Sequence, residues 1–176
     1  MRKFILATVA VLHLLILDAV TKELAAGYLK GSPGRSVIDG LLDFSYVENR
    51  GCAWGMLQGH VWPLAVFGML AIAFIAWKRR DLFYPGSSTG RRLAAGAWAE
   101  CLLYAGITGN LIDRVFRGGV IDFIDVHWGN AWHFPCFNMA DIYITFAAGL
   151  LILLSVSGEK EKESKEEKSA KAAPGQ

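Results

Sequence analysis

The chain has 176 residues, 53% hydrophobic and 19% charged, with a mean hydropathy of +0.34; a soluble domain of this length is less apolar and more charged. Its net charge of +2, from 18 basic and 16 acidic residues, argues against nucleic acid as the main partner, because phosphate binding needs a concentrated basic surface. Three cysteines, Cys52, Cys101 and Cys136, are too few and too scattered for a disulfide framework or a zinc site, so no structural metal is expected.

Taken in chain order, the first element is a long apolar helix. Phe4 to Leu17 contains only Thr8 and His13 as polar residues, and with the next turn, through Ala26, it is long enough to cross a hydrocarbon layer of roughly 30 Å. The same run follows Met1-Arg2-Lys3 and so also fits a cleaved signal peptide, but Asp18 and Lys22, at i and i+4 on one face, fit a retained helix better. Residues 27–60 form a first outer loop, in which Ser36 to Trp54 alternates apolar and polar residues around glycines and reads as short strands or a hairpin. Val61 to Trp77 is an uncharged second span, with Pro63 in its first turn and Trp62 and Trp77 at its ends. Leu93 to Ile112, rich in Ala and Gly, is the third. A second outer loop covers 113–138, and Met139 to Val156 is the fourth span. Residues 157–176 hold a low-complexity run of Glu and Lys without aromatics, expected to be disordered or a frayed helix.

The expected fold class is therefore an all-α membrane protein, a four-transmembrane-helix bundle with a small extracytoplasmic β-sheet. Residues 1–156 would make one membrane-embedded domain and 157–176 a cytoplasmic tail. Four crossings place both termini on one side, and twelve of the 18 basic residues gather there: Arg2, Lys3, Lys78, Arg79, Arg80, Arg91, Arg92 and the tail lysines. The excess of Lys and Arg identifies that side as the cytoplasm.

In such a protein the informative side chains are the ionisable ones at the hydrocarbon boundary, where each is costly unless paired, hydrated or functional. They collect at the outer ends of the spans: Asp18 and Lys22; Asn110, Asp113 and Arg114; Asn138 and Asp141; with Asp122, Asp125, Asn49 and Arg50 in the outer loops. Asn110 and Arg114 share a helix face with Gly106 one turn below, an arrangement suited to an extended peptide, or equally to a snorkelling arginine and an interhelical hydrogen bond. Asn138 reads as a helix N-cap with Asp141 at the third helical position, where the helix dipole favours a carboxylate. Asp122 lies in an apolar stretch and needs a partner, either Arg114 or Arg117 in an ion pair, or a second carboxyl. If Asp122 and Asp141 meet, the two cannot both ionise easily and share a proton, as in aspartic proteases. No serine nucleophile motif, no HExxH and no cysteine with a base is present, and His127, His133 and Cys136 make only a weak metal pattern. Glu100 and His13, at similar expected depths, are expected to pair. The competing reading is a small transporter or scaffold with a buried polar relay.

Asp18-Ala19-Val20-Thr21-Lys22, Asn49-Arg50-Gly51-Cys52-Ala53-Trp54, Gly109-Asn110-Leu111-Ile112-Asp113-Arg114, Val120-Ile121-Asp122-Phe123 and Phe137-Asn138-Met139-Ala140-Asp141 resemble, in order, the five motifs of the lipoprotein signal peptidases, or signal peptidase II. The resemblance implies a bacterial cytoplasmic-membrane aspartyl endopeptidase that removes the signal peptide of diacylglyceryl-modified prolipoproteins just before the lipidated cysteine. Its active site would lie at the outer face, with no metal or other cofactor, and globomycin-type peptide antibiotics would block it. By position, Asp122 and Asp141 match the catalytic pair, and Asn49, Asn110, Arg114 and Asn138 match residues lining the substrate cleft. Asp18, Lys22, Asp113 and Trp54 are read as structural support. Ala19, where the family commonly has glutamine, and the run Ala105 to Gly109, where Gly-Gly-Ala is usual, depart from the pattern.

Overall fold

The computed structural model describes residues 2–52, 56–84, 90–129 and 131–172, and the side chains of 4–157 among them. Trp54 lies outside the described residues. Among the described residues, five helices and four strands follow one another as α1 (Arg2–Leu29), β1 (Arg35–Ile38), β2 (Leu42–Asn49), α2 (Val61–Trp77), α3 (Arg79–Phe83), α4 (Gly90–Arg117), β3 (Val120–Trp128), β4 (Trp132–His133) and α5 (Met139–Ala172).

Two described helices are long and apolar enough to cross a membrane: Phe4–Leu29 and Met139–Ser157, with mean hydropathies of 2.3 and 2.0. Only 6% of the apolar stretch of α1 is buried within the protein. Phe4, Leu6, Ile16 and Leu24 are exposed along it, so its outward face is apolar and has no protein core to pack on, as a lipid-facing helix requires. This corrects the expected all-α bundle of four spanning helices. α2 is apolar throughout, but its 17 residues rise about 26 Å, short of a hydrocarbon core of roughly 30 Å. α4 carries Arg91, Arg92, Glu100, Asn110, Asp113, Arg114 and Arg117 along its 28 residues, so it lacks a window of sufficient apolarity.

The second correction is the sheet. It has four antiparallel strands in the order β1-β2-β3-β4, and its central strand β3 comes from the segment expected to be a mere connection. Five of the nine residues of β3 are Val, Ile or Phe, the types that fit a pleated, half-buried surface. Except for Arg35, the first residue of β1, the β1–β2 hairpin falls within the stretch that alternates in the sequence, and Gly40 takes φ +74° at its turn. β2 pairs with β3 so that Val47 opposes Asp122 and Asn49 opposes Val120. Because residues two apart share a face, this register puts Asn49 diagonally beside Asp122. α5 continues as a helix to Ala172, through the segment expected to be disordered or frayed, in keeping with its Glu, Lys and Ala content.

α4 is the hub: α1, α2, α3 and α5 all pack on it. Buried small residues, Gly96, Ala99, Ala105, Gly106 and Gly109, let the neighbours approach closely. Ala25 of α1 packs against Ile121 and Phe123 of β3, fastening the sheet to the helices. At the other end Ile75, Phe83 and Ala99 form a second cluster with Leu103, Ile107, Leu150 and Leu151. At Gly106 an added Cβ would stand 2.6 Å from both Ala140 O and Ile144 Cγ1 of α5. Gly106→Ala is therefore expected to destabilise by about 1–3 kcal/mol despite the better helix propensity of alanine, read as a lowered thermal midpoint in detergent.

Candidate active site

α1 and α5 run antiparallel, and the end of one meets the start of the other: the Ala140 N–H donates to Asp18 Oδ1 at 2.9 Å. Around this junction the polar residues join in one continuous network. Lys22, 1% exposed, places Nζ 2.8 Å from Asp18 Oδ2, 2.9 Å from Asp113 Oδ2 and 3.0 Å from Asn110 Oδ1. The ammonium has three donors and all three are used. Asp113 also accepts from Arg117 Nε at 2.9 Å, and Arg117 in turn pairs with Glu23. Gly109 is required here, since a Cβ would stand 2.5 Å from Asp18 Oδ2.

Asn110 relays this cluster to the cleft. Its Oδ1 also accepts from Asn138 Nδ2 at 3.2 Å, and its Nδ2 donates to Asp141 Oδ1 at 2.8 Å. Asn138 caps α5 as the sequence suggests: the Asp141 N–H donates to Asn138 Oδ1 and the Asn138 N–H to Asp141 Oδ2, both at 3.1 Å. Asn138 Nδ2 further donates to Asp122 Oδ1 at 2.6 Å, and Asn49 Nδ2 donates to Asp122 Oδ2 at 2.9 Å. Asp122 and Asp141 are thus bridged by the Asn138 and Asn110 amides. Asp122 is 3% exposed. Burial, and then the charge of Asp141, push its carboxyl up to about 7 against the opposing hydrogen bonds from Asn49 and Asn138.

Both aspartates border a cavity of about 980 Å³ between α2, α4 and α5. Its mouth carries Asn49, Asn110, Arg114, Asp122 and Asp141; its walls are apolar, with Leu64, Phe67, Ile107 and Phe146 among them. Arg114 ties the mouth together, with Nη1 donating to Asn110 O and Nη2 to Gly51 O, each at 3.2 Å. The wall from α2 is a stripe of Leu64, Phe67, Gly68 and Ala71 at helical spacing, a pattern present in the sequence that the reading of polar residues passed over.

Several expectations need correction. Asp122 takes amide partners and not Arg114 or Arg117. Glu100 and His13 do not pair: Glu100 is held by Arg79 and by Tyr84 Oη at 2.7 Å, while the His13 ring bonds Val9 O at 2.7 Å within its own helix. Gly106 faces α5 and does not border the cavity. No group of three or more metal-ligating side chains lies together among the described residues, and Cys52 and Cys136 are free thiols.

A carboxyl pair held by amides at the mouth of an apolar cleft, beside helices whose apolar faces are exposed, is an arrangement suited to hydrolysis at a membrane. Residues 10–157 match the family described as signal peptidase (SPase) II, and the chain belongs to that family. It is 38% identical over 155 residues to the lipoprotein signal peptidase of Geobacter sulfurreducens, covering 86% of this chain and 92% of that one. The lipoprotein signal peptidase of Symbiobacterium thermophilum is 36% identical over 164 residues, covering 91% and 97%. A solved bacterial membrane enzyme superposes with a TM-score of 0.74 at 30% identity, over 89% of this chain and 90% of that one. The protein is a membrane protease.

Proposed function

We propose that this protease removes the signal peptide of diacylglyceryl-modified prolipoproteins immediately before the lipidated cysteine, by an aspartic mechanism with Asp122 and Asp141 as the catalytic pair. The observation that carries the reading is their convergence at one cavity mouth through the amides of Asn110 and Asn138. Asp141, whose oxygens accept two N–H bonds, is the base that takes a proton from the attacking water. Asp122 carries the proton that polarises the scissile carbonyl and reaches the departing amine as the C–N bond breaks. Asn49 and Asn138 orient Asp122; Arg114 and Asn110 line the path of the peptide. Asp18, Lys22 and Asp113 hold the ends of α1, α4 and α5 in register beneath them.

Residues 1–156 would act as one membrane-embedded domain, with 157–176 a charged cytoplasmic tail. Two crossings by α1 and α5 would put both termini on one side; Arg92 Nη2, which donates to Leu154 O at 2.9 Å, ties the start of α4 to that end of α5, and the basic residues of 78–92 favour the cytoplasm for it. The site then opens at the outer face. Membrane lipid and lipidated prolipoprotein are the partners, and globomycin-type peptides are expected to compete for the mouth. Confinement of the buried polar residues to one end disfavours the rival, a transporter with a relay across the membrane.

Incubation of the purified protein in detergent with a lipidated precursor peptide tests the reading; product without any ion gradient supports it, and no product under any condition overturns it. The same assay reads pH. As pH rises through about 7, Asp122 loses the proton it must supply, so the rate constant should fall, approaching tenfold per unit above pH 8. A rate that climbs from pH 6 to 9 would assign the acid role elsewhere.

A further inference from the structure

Resting on that reading of the substrate, we infer that the cleft holds only the headgroup-proximal part of an acyl chain, about ten carbons, and that the remainder leaves sideways into the bilayer. The depth of the cavity carries this. Its lining on α2 runs from Pro63 to Ala71, eight residues or about 12 Å; on α4 from Arg114 down to Ile107, about 10 Å; on α5 from Asp141 to Phe146, about 8 Å. An extended hydrocarbon with C–C bonds of about 1.5 Å advances roughly 1.25 Å per carbon, so some ten carbons reach the bottom.

Below that level the described residues pack against one another. Ile75, one turn past Ala71, is 6% exposed and packs in one apolar cluster with Ala99, Leu103, Leu150 and Leu151. Ile107 belongs both to that cluster and to the cavity wall, so the cluster is the floor. The side is different. Phe67 on α2 and Phe146 on α5 border the cavity, yet they are 70% and 66% exposed, which marks a margin facing lipid. α2 and α5 both pack on α4, which forms the back wall between them. A chain entering at the mouth meets a floor below and an apolar slot beside it. Since lipid tails are as apolar as the slot, the distal carbons gain nothing by staying inside.

The substrate class is therefore set by the glyceryl-proximal segment, with acyl length beyond about ten carbons left unread. The test uses the full chain in lipid nanodiscs and precursor peptides bearing a phenyl ring or a photoactivatable diazirine at carbon 5 or carbon 15 of each acyl chain. A ring at carbon 5 should lower kcat/KM at least about tenfold, and a ring at carbon 15 by less than about twofold. With Asp141→Asn, which holds the peptide uncut, the carbon 5 diazirine should label residues of α2, α4 or α5 and the carbon 15 diazirine should label lipid. Equal penalties at both positions, no penalty at carbon 5, or protein labelling from carbon 15 would each overturn the inference. The labelling needs no cleavage, so a peptide that stays uncut by the unaltered protein while labelling in the expected pattern counts against the proposed reaction alone.

Discussion

Asp122→Asn is expected to reduce cleavage of a lipidated precursor by about 10²–10⁴-fold, because the amide cannot carry the proton. The fold should survive, and at alkaline pH it should be more stable than the unaltered protein. The sign follows from Asp122, whose carboxyl is pushed up to about 7 from 3.8. The folded chain holds a proton between these values that the unfolded chain has released, so stability declines as pH rises from about 4 to 7 and then levels off. At pH 8 the buried charge costs on the order of 4 kcal/mol, which an isosteric amide avoids. Asp141→Asn should abolish cleavage to a similar extent without that gain. Thermal unfolding of both variants at pH 5 and pH 8, beside their rates, checks the pair. Near-normal processing by either variant would remove the dyad, and a midpoint for Asp122→Asn that falls at pH 8 would place the strain elsewhere.

Lys22→Met is the second large effect, and it falls on stability. The ammonium lies between Asp18 and Asp113, with side-chain exposures of 1%, 3% and 5%. Removing the central cation leaves two desolvated carboxylates facing each other, and breaking such a buried arrangement costs about 3–5 kcal/mol. For a chain of 176 residues this corresponds to a fall of on the order of 10 °C in the thermal midpoint. Activity should fall as well, since Lys22 donates to the Asn110 carbonyl whose amide nitrogen orients Asp141. The double variant Asp18→Asn with Lys22→Met should recover part of the stability, since one of the stranded charges is gone. A midpoint within 2 °C of the unaltered protein for Lys22→Met would show water reaching the cluster.

The polar residues at the outer boundary were legible because each breaks an apolar pattern. Asp18 and Lys22 at i and i+4, Asn138 before Met139, and Asp122 among Val, Ile and Phe need no partner to be noticed. Their partners were not legible. Two amide side chains join Asp122 to Asp141 across 16 and 31 residues of chain, and Lys22 reaches Asn110 across 88. The pairing of Glu100 with His13 failed because depth along a helix says nothing about the face a side chain takes; Arg79 and Tyr84 stand nearer.

What the amino acids determine alone is what depends on neighbours in the chain. That includes the apolar lengths of α1 and of α5 through Ser157, the cap at Asn138, the β1–β2 hairpin and the identities of the polar residues at one end. Tertiary structure decided the rest. β3 became the centre of a sheet because β2 and α1 offered it partners. The cavity exists only where three helices diverge above a packed floor. Its shape is a sum over contacts between distant segments, and no periodicity within one segment encodes it.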